Sequence, residues 1–115
     1  MSLTIAAAVV AAAFLALGVS KIARTASMRT RAAHVGFSAE TYQLIGTAEV
    51  LGALGVVIGL AWTPIGYAAG AGLLLLLAGA VGAHLRSGDG PAEVAPAALF
   101  AAATVAYLLS LGASS

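Results

Sequence analysis

Glu49 is the residue whose position asks for a chemical explanation. The chain carries five basic and four acidic side chains, and Glu49 alone among them falls inside a long apolar run. It sits about ten residues into that run, roughly 15 Å along a helix axis. A bare charge near the centre of a bilayer costs on the order of 2.5–3.5 kcal/mol on insertion scales, so such a carboxyl turns toward other helices and is protonated or paired. Two readings are open. In one, Glu49 is a hydrogen-bonded staple between two helices. In the other, it meets a substrate, a proton or a ligand.

His84 and Lys21 are the other candidates. His84 ends an apolar run and shares a helix face with Gly66, Gly70, Leu77 and Ala80. Its ordinary pKa near 6.5 would let a modest shift switch it at physiological pH. The plainer reading is an interfacial histidine at a helix C-terminus, where positive charge is favoured. Lys21 ends the first run. Its long stem can snorkel to the membrane surface, or it can join a Lys21–Glu49–His84 cluster able to do acid–base work. Gln43, beside Tyr42 and one turn before Gly46, could hydrogen-bond into that cluster. Tyr42 and Tyr107 read as interface or packing residues.

Other chemistries find no residues. The chain has no cysteine, which excludes a disulfide framework, a thiol redox pair and a thiol nucleophile. Two histidines without metal-ligand spacing leave no expected metal site. No glycine-rich phosphate loop is present, no cofactor is expected, and one short basic loop is not a nucleic-acid footprint.

The elements that must position these residues are helices. Of 115 residues, 62% are hydrophobic and 8% charged, with a mean hydropathy of +1.07. Soluble domains are nearer 25% charged, and a body this small has too little interior to hide so much apolar surface. A lipid bilayer is therefore the expected surrounding partner. The reading is all-α: a single domain over residues 1–115, built as an antiparallel bundle of four transmembrane helices at about 3–20, 39–61, 65–85 and 92–111. The first run has no Lys or Arg before it, so it reads as a span and not a secretory leader. Residues 20–41 read as a polar connection. Ile22, Met28 and Val35 share no clean face there, so a helix lying in the interface is not compelling. Ser38 suits an N-cap, with Glu40 in the first turn behind it. Trp62 and Tyr67 suit an aromatic belt.

Within the second span, Gly46, Gly52, Val56 and Gly59 lie on the same half of the helix wheel as Glu49. Gly55 and Gly59 add a small-xxx-small pair, so Gly46, Gly52, Gly55 and Gly59 are expected to pack against a neighbouring helix. Charge counting gives topology. Lys21, Arg24, Arg29 and Arg31 lie in the first loop and Arg86 in the third. The positive-inside rule makes the loops at 21–37 and 86–90 cytoplasmic and puts both termini outside a cell membrane crossed several times.

The chain resembles the DoxX-like family of small bacterial membrane proteins. The residues that carry the likeness are Gly18-Val19-Ser20-Lys21, Gly36-Phe37-Ser38, the stretch Ile45-Gly46-Thr47-Ala48-Glu49-Val50-Leu51-Gly52-Ala53-Leu54-Gly55, and His84-Leu85-Arg86. The likeness covers roughly residues 10–110, and the stretch around Glu49 is its most specific part. It implies a four-helix bundle in the bacterial inner membrane. The family's founding name comes from a subunit associated with thiosulfate:quinone oxidoreductase, and other relatives look like redox-linked accessory proteins or chaperones. Broader four-span relatives include sterol-isomerase-like domains, whose carboxylates do acid–base work on apolar substrates. Thiosulfate chemistry would rest on the name and on no residue of this chain.

Three functions remain as expectations. The first is an accessory or scaffold subunit, or a binder of a small apolar ligand, with a second copy or another membrane protein as partner. The second is a membrane enzyme that isomerises, hydrates or hydrolyses a lipophile such as an epoxide or sterol, with Glu49 as acid or base. The third, a channel formed by an oligomer, ranks last because one buried charge is no continuous polar lining.

Overall fold

A computed structural model describes residues 2–114, as five helices and no strands among them. The helices are α1 (Leu3–Ile22), α2 (Ala26–His34), α3 (Ala39–Ile58), α4 (Thr63–Arg86) and α5 (Pro91–Ser114). At 1.5 Å per residue, the 20-residue helices α1 and α3 span about 30 Å and the 24-residue helices α4 and α5 about 36 Å, each enough to cross a hydrocarbon core of about 30 Å.

The ends follow from local chemistry. The hydroxyls of Ser2, Thr25 and Ser38 accept hydrogen bonds from the backbone N–H groups of Ile5, Met28 and Thr41, which caps α1, α2 and α3. At one end of the bundle, α1, α2 and α4 all stop with a residue at positive φ, Arg24, Gly36 and Gly88. The N–H of the following residue reaches back to Ser20, Ala32 and His84 respectively. Glycine takes this conformation freely. Arg24 does not, and its guanidinium hydrogen bonds to Gln43 at 2.8 Å and Glu40 at 3.4 Å help to hold it.

The connection at residues 23–38 contains α2, where the sequence predicted a polar link. Met28, Ala32 and Val35, at i, i+4 and i+7, form its buried stripe. Ile22 obscures this stripe in the sequence because it belongs to α1. Helix α3 stops at Ile58, three residues before its predicted end, because the N–H groups of Leu60 and Ala61 turn back three residues, to Val57 and Ile58. Trp62 is extended, and Pro64 opens α4.

The four long helices form a ring in which α1 packs on α3 and α5, and α4 packs on the same two. The core is small and lies between them: Ala6, Val10 and Phe14 of α1, Ala53 and Val56 of α3, Leu73 and Leu77 of α4, Tyr107 and Leu111 of α5. Outside, Leu44, Leu75, Leu99 and Leu109 are 70% or more exposed. In water such a surface would aggregate; against acyl chains it is the expected one. One bond crosses the ring. Since Leu60 N–H bonds to Val57, the Val56 carbonyl lacks its usual partner, and the buried Tyr107 hydroxyl of α5 donates to it at 2.8 Å.

Candidate intramembrane binding site

Helices α1 and α3 touch backbone to backbone. A Cβ on Gly18 would stand 2.6 Å from the Gly46 carbonyl oxygen, and one on Gly46 would stand 2.7 Å from the Gly18 oxygen and from Cβ of Lys21. No side chain fits there. The contact sets Lys21, one turn after Gly18, opposite Glu49, almost one turn after Gly46. The Lys21 ammonium donates to Oε1 of Glu49 at 2.5 Å, and the two side chains are 11% and 5% exposed. The ammonium also lies 5.0 Å from the centre of the Tyr42 ring. Lys21 is thus turned into the bundle and not out to the surface.

Next to this pair, Gln43 ties the end of α1 to the start of α3. Its amide donates to the Ile22 carbonyl at 2.8 Å and its oxygen accepts from Arg24. His84 goes elsewhere. Its Nδ1 lies 2.7 Å from Oδ2 of Asp89, and Nε2 of His34 lies 2.8 Å from Oδ1 of the same carboxylate. This clamp holds the end of α2 to the α4–α5 turn, and a bond from Arg86 to the Val35 carbonyl at 3.5 Å supports it. The hydrogen bond from His84, then that from His34, holds the Asp89 carboxyl below its ordinary range. The structure therefore joins Lys21 to Glu49 and leaves His84 out of that pair.

The glycines serve two different neighbours. Gly46 faces α1, whereas a Cβ on Gly52, Gly55 or Gly59 would run into Leu73, Ala69 or Gly66 of α4. The half-wheel read from the sequence divides between two contacts. The α3–α4 glycine contacts all lie in the half of the bundle away from the basic loops. In the half next to those loops the ring encloses a cavity of about 810 Å³. Glu49, Lys21 and Tyr42 line it together with Arg31 of α2, which is itself exposed. Phe14, Leu76, Leu77, Ala97 and Phe100 supply apolar lining, and the Phe14 and Phe100 rings pack 5.8 Å apart. His84 lines the same cavity.

Sequence reasoning missed the Asp89 clamp, because its histidines stand in the last turns of different helices, α2 and α4, and nothing in their spacing joins them. It also missed the target of the Tyr107 hydroxyl. A buried tyrosine needs a partner, but the carbonyl it caps becomes free only through the early end of α3.

A family model described as the DoxX-like family matches residues 5–107, which include every residue of the cavity wall named above. No curated protein and no solved structure matches the chain.

Proposed function

This chain belongs to the DoxX-like family, and we propose that it binds a small lipophilic molecule inside the membrane, in the cavity lined by Lys21 and Glu49. One observation carries the reading: a space of about 810 Å³ lined by a buried ion pair together with apolar side chains. Pockets for small molecules run from roughly 300 to 1,000 Å³ and combine apolar walls with a few polar groups that fix orientation. Among the described residues the Glu49 carboxylate takes one hydrogen bond, from Lys21. Its second oxygen and the other ammonium protons remain for a ligand's polar group. The close contacts of Gly46, Gly52, Gly55 and Gly59 are made within the chain, which favours a ligand over docking of a partner on those faces. The basic end faces the cytoplasm on this reading, with both termini outside.

The test is a titration of the detergent-solubilised protein with radiolabelled oleyl alcohol. A saturable site is expected. Ala97→Trp or Ala80→Phe, which fill the cavity from two different helices, should abolish it, and Leu109→Trp on the outer face should leave it intact. Uptake that never saturates, or that ignores both cavity variants, overturns the reading.

The carboxylate on the cavity wall also favours a second reading, acid–base chemistry on the bound lipophile with Glu49 as acid or base. Conversion of an added lipophilic epoxide or sterol by the wild type, lost in Glu49→Gln with binding retained, would establish it.

A further inference from the structure

We infer that the molecule held in the cavity is a single-chain amphiphile with an anionic headgroup, a long-chain carboxylate or monoalkyl phosphate, and that Arg31 receives the head. The inference rests on the binding reading above and goes on to assign the ligand's charge. Six charged or titratable side chains other than tyrosine line the cavity: Lys21, Arg31, His34, Glu49, His84 and Glu93. Five of them are already engaged. Lys21 and Glu49 neutralise each other. His34 and His84 share the Asp89 carboxylate. Glu93 accepts the Gly90 N–H at 2.9 Å in the first turn of α5. The Arg31 guanidinium has no hydrogen bond or ion pair among the described residues. Among the described residues Arg31 is therefore the one cation of the lining without a hydrogen-bonding partner, and its planar fork matches a carboxylate or phosphate, while Glu93 keeps its negative charge but is held by a backbone N–H at the start of α5.

The rest of the cavity suits an alkyl chain. Phe14 lies seven residues up α1 from Lys21, about 10 Å deeper by helix rise, so the apolar lining runs well into the membrane. The cavity also opens sideways. Leu75 and Gly79 of α4 line it although Leu75 is 75% exposed, and a Cβ on Gly79 would meet nothing within 4 Å. The helices α3 and α4 are locked by glycine contacts only in the far half of the bundle. A chain dissolved in the leaflet can slide in along that seam while its head stays at the level of the basic loops. Arg29 gives an internal control: like Arg31 it is exposed on α2 and carries the same charge, but it does not line the cavity.

The full chain in non-ionic detergent is titrated with oleate, oleyl alcohol and acetate at a pH where oleate is ionised. Oleate is expected to bind about tenfold more tightly than oleyl alcohol, the scale of one charge-assisted hydrogen-bonded pair. Arg31→Gln should remove that advantage and leave alcohol binding unchanged, whereas Arg29→Gln should preserve it. Acetate should not displace oleate at matched concentration. Equal affinity for the two long-chain ligands overturns the inference. So does an equal loss in Arg29→Gln, which would mark diffuse surface charge, and so does displacement by acetate, which would mark a site for the free anion. If no long-chain ligand saturates the wild type, the binding reading itself falls.

Discussion

An ammonium and a carboxylate inside a bilayer are tolerable only together. Removing one partner of a buried pair leaves the other uncompensated at a cost of about 3–5 kcal/mol, while replacing both by apolar groups can be neutral. Lys21→Met and Glu49→Leu should each lower the unfolding free energy by about 3 kcal/mol, and the double variant should recover most of that loss. A cycle of unfolding measurements in detergent reads this directly, and additive losses would contradict the pairing. The inward turn of Glu49 was legible from its isolation in an apolar run. Its partner was legible only as one of two alternatives, because the stem of Lys21 can also reach the membrane surface. The choice is made by Gly18, whose missing Cβ lets α1 close on α3. In the sequence Gly18 is one glycine among fourteen.

Among the elements, α2 depends most on tertiary contacts. It has nine residues, too few for an isolated helix to persist in water, and its hold on the α4–α5 turn is the Asp89 carboxylate between His34 and His84. Because those hydrogen bonds hold the Asp89 pKa below its unfolded value, the carboxylate supports the fold above that ordinary value, near 3.9. The support is lost as pH falls through the lower, folded pKa. Asp89→Asn should therefore have a lower Tm than the wild type at about pH 5, and the gap should narrow toward about pH 3. A gap that stays constant across that interval would remove the carboxylate from the clamp. Four long helices were readable from length and hydropathy alone, since lipid demands both. The fifth was not, because its apolar stripe is three residues long and begins beyond the helix that Ile22 belongs to.

At the scale of the molecule, the up-and-down order of the four spans brings all five basic residues to one end. That end should face the cytoplasm. The chain has no cysteine, so single cysteines report on sidedness without interference. A membrane-impermeant maleimide should label Ala113→Cys on intact cells and Ala33→Cys only after permeabilisation; the opposite pattern would invert the topology. Gross charge supplies the orientation that the labelling tests, and span count was legible because it is set by length and hydropathy. The bond across the ring was not, yet it bears on how the protein is made. The carbonyl left bare near the end of the second long helix is met by a hydroxyl that the ribosome adds about fifty residues later, so this bond forms only after two further spans have been made. Each span can enter the membrane as it emerges, but the last turn of α3 is completed only when α5 has followed it.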